Sequence, residues 1–130
     1  METSPVVIDT NIFIAHLRAT NKSRTTFYKL PAAKKSFISS VTIYELFMGA
    51  TSKEKWQDVQ NRTQGIPVLA FTGQVTERSA QIFHELKTAN KLIEFRDIFI
   101  GATALTYRLS VLTSNTIDFK KIKGLEIIPG

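Results

Sequence analysis

The sequence contains no cysteine, which removes disulfide frameworks, thiolate nucleophiles and thiolate metal sites from consideration. It has no apolar run near the roughly 18 residues of a membrane span, so no membrane segment is expected. Met1 to Pro5 carry no basic region ahead of their short apolar run, which argues against a secretory leader. Together these absences agree with a cytoplasmic setting. There is no glycine-rich phosphate cradle, which excludes a P-loop enzyme, and no internal repeat, low-complexity tract or linker. Against these absences stand 130 residues that are 43% hydrophobic and 22% charged. That is too apolar for disorder and the right size for one core, so a single domain over residues 1–130 is expected.

Acidic residues are scarce. The chain has 11 Asp and Glu against 17 Lys and Arg, a formal charge of +6. Between Asp9 and Glu45 there is no acid at all, while Arg18, Lys22, Arg24, Lys29, Lys34 and Lys35 fall in that stretch. So one-sided a segment is a candidate contact for a phosphate backbone; the plain alternative is an exposed, solvated helix pair.

Hydrophobic patterning predicts alternating short strands and helices. Val6–Ile8 reads as a buried strand, and Asp9-Thr10-Asn11 opens a helix through about Ala19, with Asp9 or Thr10 as its cap. Ser23–Leu30 reads as a second helix stopped by Pro31, Ser36–Ser39 as a strand, and Ser40–Gly49 as a helix. Ser52 to about Gln64 is a polar amphipathic helix, Pro67–Phe71 a strand, and Thr72 to about Asn90 a long helix with Val75, Ser79, Ile82, Leu86 and Ala89 on one face. Asp97–Leu109 is a further helix, with strands at Ser110–Thr113 and Leu125–Ile128. This order implies an α/β domain whose mostly parallel sheet is covered on both faces. In such sheets ligands bind beyond the carboxyl ends of the strands. The strand ending at Ile8 runs into Asp9, and the one ending at Thr113 runs into Ser114, Asn115 and Asp118.

Three acids sit in apolar surroundings. Asp9 lies between Val6-Val7-Ile8 and Ile12-Phe13-Ile14. Glu45 lies inside Val41–Met48, a helix apolar nearly all round, which marks a buried element. Asp97 precedes Ile98-Phe99-Ile100. Taken singly, each has an ordinary explanation: Asp9 a helix cap, Glu45 an arginine partner, Asp97 a favourable charge at a helix start, Asp118 a surface acid. Jointly they are coherent only if they converge on cations, because an unpaired buried carboxylate is costly. All-oxygen ligands without cysteine suit Mg²⁺ or Mn²⁺, and two such ions clamp the attacking and leaving oxygens of a phosphodiester displacement. If four acids serve the metal, the remaining surface carries a charge of about +10 against a polyanion.

These residues resemble the PIN domain family, and within it the VapC-type toxins of prokaryotic toxin–antitoxin pairs. Val7-Ile8-Asp9-Thr10-Asn11-Ile12 is similar to the family's opening strand-Asp-Thr-Asn. Ser40-Val41-Thr42-Ile43-Tyr44-Glu45-Leu46 resembles its second acidic motif, and Asp97-Ile98-Phe99-Ile100-Gly101-Ala102-Thr103-Ala104 its third. Leu112-Thr113-Ser114-Asn115-Thr116-Ile117-Asp118-Phe119, with the later Gly124-Leu125, resembles its fourth.

The resemblance spans essentially the whole chain. It implies a PIN-like three-layer sandwich and an endoribonuclease dependent on Mg²⁺ or Mn²⁺ that cuts RNA with metal-activated water, leaving 5′-phosphate and 3′-hydroxyl ends. By the same resemblance Asp9, Glu45, Asp97 and Asp118 are the catalytic acids and, with Asn115, the metal ligands. Thr10, Asn11 and Thr113 are hydrogen-bonding groups behind them, and Glu94 is an additional acid nearby. Arg18, Lys22, Arg24 and Lys29 are the contacts for nucleic acid or antitoxin. A VapB-type antitoxin and a homodimer are implied as partners.

No histidine is required; His16 and His84 read as packing or surface residues, and Trp56 as packing. Phe27 and Tyr28 suit a partner groove or base stacking. The alternative is a PIN-fold RNA-binding module without activity. Two other phosphoryl-handling folds fail on residues. A receiver needs an acid ending the strand at Pro67–Phe71, and a haloacid-type phosphatase needs Asp-x-Asp where Asp9-Thr10-Asn11 stands.

Overall fold

A computed structural model describes residues 4–31 and 34–130; the segment Met1 to Pro5, read as arguing against a secretory leader, lies mostly outside them. The elements, in chain order, are β1 (Val6–Ile8), α1 (Thr10–Arg18), β2 (Ser36–Ser39), α2 (Ser40–Met48), α3 (Lys53–Thr63), β3 (Val68–Leu69), α4 (Gly73–Thr88), α5 (Phe95–Tyr107), β4 (Ser110–Thr113), α6 (Thr116–Phe119) and β5 (Ile127–Pro129). The strands form one sheet in the order β3-β2-β1-β4-β5, and every pairing is parallel. The fold is the α/β sandwich expected, with helices on both sides of the sheet.

The strands' two-residue period sorts their side chains between two cores. Val7 and Val111 face one side with Val75, Ile82, Leu86, Ile98 and Phe119, from α4, α5 and α6. Val6, Ile8, Ile38 and Leu112 face the other with Ile12, Phe13, Leu46 and Val59, from α1, α2 and α3. Strands buried on both faces read as unbroken apolar runs rather than alternating ones, which is why Val6–Ile8 is legible in the sequence. Each such fully buried side chain stabilises the fold by about 1.5–3 kcal/mol. Gly101 allows α5 to lie close to the segment before β5: a Cβ there would stand 2.5 Å from Ile122 Cδ1.

Two expectations are corrected. Ser23–Leu30 is not a helix. A single 3₁₀ turn at Lys22–Arg24 is followed by turns. Local side chains win the backbone there: Thr25 Oγ1 donates to the Lys22 carbonyl and accepts from the Tyr28 amide, the competition that makes Ser and Thr poor helix formers. Phe27 turns inward instead, 5.0 Å from Phe13 and 4.9 Å from His16, ring to ring.

The second correction is α2. It is not buried all round, since Tyr44 is 64% and Met48 61% exposed; only Thr42 and Leu46 are fully buried on it. Smaller differences are a two-residue β3 in place of Pro67–Phe71, an α5 that begins at Phe95, and the short helix α6. Among the described residues no helix is long and apolar enough to cross a membrane.

Candidate active site

The chain runs from β1 outward through β2 to β3, then crosses to β4 and β5 on the other side of β1. The strand order therefore reverses between β1 and β4, where α/β sheets open a crevice at their carboxyl ends. Asp9 leaves β1 at that point, and Thr113 and Asn115 leave β4 beside it. Thr113 Oγ1 donates to Asp9 Oδ2 at 2.8 Å and accepts the Asn115 amide at 2.8 Å, so one hydroxyl ties the two strand exits together. Glu45 arrives from α2 and Asp97 from the first turn of α5.

Burial is severe for two of these acids. Asp9 is 0% and Asp97 1% exposed, while Glu45 is half-buried. Asp9 Oδ1 is buried without any hydrogen-bond partner. At the cap position of α1, its side chain makes no capping bond, so capping, the ordinary reading of Asp9, does not account for it. An orphaned buried carboxylate oxygen is expensive and marks a place for a cation.

Glu45 is oriented by a chain of hydroxyls. Thr10 Oγ1 donates to Glu45 Oε1 at 3.0 Å and lies 2.8 Å from Thr42 Oγ1, and Ser39 Oγ donates to Thr42 Oγ1 at 3.1 Å. Each hydroxyl has one proton. Because Thr10 spends its proton on the carboxylate, Thr42 must donate to Thr10, and the run Ser39, Thr42, Thr10, Glu45 has one direction. Asn115 Nδ2 bridges the remaining acids, donating to Asp97 Oδ2 at 3.2 Å and to Asp118 Oδ2 at 3.1 Å. Asp118 Oδ1 pairs with Lys121 at 3.4 Å.

A cation of the chain's own lies in the middle. Arg96 Nη1 is 3.6 Å from Glu45 Oε2, and its Nε is 3.4 Å from Asp97 Oδ1. Burial would lower the Arg96 pKa, and the charges of Glu45, Asp97 and Asp9 more than reverse that, so it is held firmly protonated. Burial pushes the Asp9 carboxyl above its ordinary value, against the pull of Thr113 and Arg96. Asp97 is pushed up to about 6, by burial first and by the Asp9 charge second, with Arg96 opposing and Glu94 adding a little. Two buried carboxyls with raised values at a strand-order reversal make this crevice a candidate functional site.

The residues singled out in the sequence divide as follows. Asp9, Glu45, Asp97 and Asp118 are linked at one end of the sheet through Thr10, Thr113, Asn115 and Arg96 rather than touching one another. Asn11 makes no side-chain hydrogen bond to the acids, and Glu94 is exposed at the start of α5. Asn115 turns its nitrogen, not its oxygen, toward the carboxylates, so its oxygen would reach an ion only after a flip. Among the described residues no three Asp, Glu or His side chains converge, as placed, into a group able to hold an ion, and Arg96 lies between two of the acids. The orphaned Asp9 oxygen and the all-oxygen donors nevertheless fit a hard divalent ion.

Of the basic residues, Arg18 lines a recess of about 210 Å³ with Glu45, Leu46 and Val59, and Arg24 and Lys29 are exposed. Lys22 has a different role. Its ammonium donates to the carbonyls of His16, Leu17 and Ala19 at 2.8, 2.9 and 3.3 Å, closing the carboxyl end of α1 where a cation is favoured. His16 is buried packing: Thr25 Oγ1 spends its proton elsewhere, so His16 Nδ1 donates to it at 2.7 Å. Sequence reasoning missed Ser39, Thr42 and Arg96. The spacing of three in Ser39-x-x-Thr42-x-x-Glu45 was the available signal for the first two. For Arg96 it was a charge directly before Asp97 in an otherwise apolar segment.

Comparison with known proteins agrees with this fold. Ribonuclease VapC1 of Rickettsia felis is 29% identical over 136 residues, covering 95% of this chain and 94% of its own. VapC ribonuclease Y4jK of Sinorhizobium fredii is 30% identical over 135 residues, covering 95% of each. Among solved structures, the DNA-bound VapBC of Salmonella typhimurium superposes with a TM-score of 0.79 at 25% identity, covering 97% of this chain and 98% of that one. The PIN domain profile matches residues 6–125, a span that contains every acid of the crevice, and the chain belongs to the PIN domain family.

Proposed function

We propose that the chain is a metal-dependent endoribonuclease, the toxin of a toxin–antitoxin pair, acting as one PIN domain in the cytoplasm. The observation that carries this reading is the pair of fully buried carboxylates, Asp9 and Asp97, one with an orphaned oxygen, at the strand-order reversal. Asp9, Glu45 and Asp97 would hold Mg²⁺ or Mn²⁺, with Asp118 and Asn115 at the margin. When bound, the ion supplies Lewis acidity and lowers the pKa of water.

The chain's own residues do the rest. Thr113 fixes Asp9, and the hydroxyl run fixes Glu45, more open to solvent than Asp9 or Asp97, as acceptor for the proton of the attacking water. A water oxygen bonds to phosphorus as the bond to the 3′ oxygen breaks; that oxygen leaves with the bonding pair and takes a proton from solvent, giving a 5′-phosphate and a 3′-hydroxyl. The cationic surface, including Arg18, Arg24 and Lys29, holds the flanking phosphates.

Relatives named as VapC ribonucleases and a structural neighbour named as a VapBC complex support this reading. The recess between α1, α2 and α3, apolar at Ile14, Leu17 and Val59 and charged at Arg18, Glu45, Lys55 and Asp58, fits a segment of a VapB-type antitoxin. The exposed Tyr44, Phe71, Phe95 and Tyr107 fit the interface of a homodimer.

The test is cleavage of total and transfer RNA with Mg²⁺, Mn²⁺ or chelator, beside an Asp9→Asn chain purified identically. Metal-dependent cleavage, lost in the variant, is expected. Equal cleavage by both chains would remove the catalytic assignment. RNA binding without cleavage would favour the inactive binding module.

A further inference from the structure

We propose that Arg96 is the resident counter-ion of the acid site: it occupies the oxygens that a divalent ion needs, yields them when the ion binds, and then positions the RNA phosphate. The proposal rests on the metal-site reading above. Arg96 reaches two carboxylates on different helices, Glu45 Oε2 on α2 and Asp97 Oδ1 on its own α5. Those acids have few oxygens to spare, because Glu45 Oε1 accepts from Thr10 and Asp97 Oδ2 from Asn115. An ion entering the crevice therefore competes with Arg96 for the oxygens that remain.

The guanidinium is well placed to give way. Its contacts, at 3.4 and 3.6 Å, are single and long rather than the short bidentate fork of a tight arginine–carboxylate pair. Among the described residues it makes no hydrogen bond except to Asp97, so it is held mainly by charge. It also borders a recess of about 390 Å³, lined by Tyr44, Phe71 and Phe99 as well as Glu45. A displaced side chain has room there, over aromatic surface and beside the acids, where RNA must lie to be cut. A lysine would satisfy the same charge, but the planar fork of arginine matches two non-bridging phosphate oxygens.

The inference makes opposite demands on two ligands. Removing the Arg96 charge favours the metal and disfavours RNA, whereas damage to the fold weakens both. The experiment is a calorimetric titration of the full chain with Mn²⁺, with melting temperature followed in parallel, for the wild type, Arg96→Gln, Arg96→Lys and Asp97→Asn. Arg96→Gln is expected to bind Mn²⁺ about tenfold more tightly, a gain of about 1.4 kcal/mol, and to gain more melting temperature from the ion. Its KM for RNA at saturating Mn²⁺ should rise about tenfold. Arg96→Lys, whose ammonium cannot reach both acids, should fall between, and it carries the test if Arg96→Gln does not fold. Unchanged or weaker Mn²⁺ binding in the Arg96 variants, with binding by the wild type that Asp97→Asn abolishes, would overturn the Arg96 assignment alone. No Mn²⁺ binding by any chain would overturn the metal site as well.

Discussion

Replacing Asp97 by Asn should make the metal-free protein more stable while removing its function. The unfolded chain loses the Asp97 proton near 3.8, whereas the folded chain holds it to about 6. Above pH 6 the ionised, buried carboxylate therefore costs the fold about 3 kcal/mol relative to the unfolded chain. Asn has nearly the same shape and never ionises, and its carbonyl can still accept from Asn115. The pull of Arg96 on the carboxylate is already contained in that value. The net expectation is a gain of about 3 kcal/mol at pH 7.5 in chelator, roughly 9–15 °C in Tm for a chain of this size.

The sign with pH is specific. A raised carboxyl costs nothing below its unfolded value, more as pH climbs from about 4 to 6, and a constant amount above. Wild type and variant should therefore diverge across that window and coincide near pH 4. Urea or thermal unfolding of both chains from pH 4 to 8 in chelator measures it. An Asp97→Asn chain less stable at pH 7.5, or a gap that does not close toward pH 4, would refute the claim that burial and the Asp9 charge strain this carboxyl. Saturating Mn²⁺ should reverse the ranking, because the ion stabilises only the chain that binds it.

Thr42→Val breaks the hydroxyl run and leaves Ser39 and Thr10 facing a methyl group; it should cost about 1–2 kcal/mol in urea unfolding and lower kcat for RNA cleavage about tenfold through a misaligned Glu45. Lys22→Met keeps the apolar stem but frees three carbonyls, so unfolding free energy should drop by about 1–3 kcal/mol; weaker RNA binding at unchanged stability would instead make Lys22 a phosphate contact. Burial, with Arg62 and Lys22 nearby, holds the His16 pKa below 6.5, so its contribution is whole above 6.5 and is lost as pH falls from there toward the lowered folded value. That slope opposes the one from Asp97, and unfolding of the Asp97→Asn chain with and without His16→Gln should isolate it, the His16→Gln chain being the flatter.

The central strands and the acids were legible in the sequence for one reason. A parallel strand buried on both faces has no polar side, so Val6–Ile8 and Ser110–Thr113 stand out as short runs, and a carboxylate inside such surroundings stands out as costly. The open face of α2 was not legible, because Val41–Met48 is equally apolar on the side that meets Leu46 and on the side of Tyr44. Nor was the failure of Ser23–Leu30 to form a helix, which turns on where Thr25 sends its hydrogen bonds and on the room beside Phe13 for Phe27. Arg96 looked like one more cation among 17. Its position between Glu45 and Asp97 depends on how α5 packs against α2, a relation with no local trace.

By itself the sequence determined the alternation of elements, the choice of oxygen over sulfur chemistry, and which acids must find partners. These follow from composition and local pattern, where burial has a cost that neighbouring residues already reveal. The tertiary structure alone decided the strand order that brings Asp9 beside Thr113, 104 positions apart in the chain, the direction of the Ser39–Thr42–Thr10–Glu45 run, and the guanidinium among the acids. Each of these is a distance between residues remote in sequence, set by how two packed layers close on one sheet.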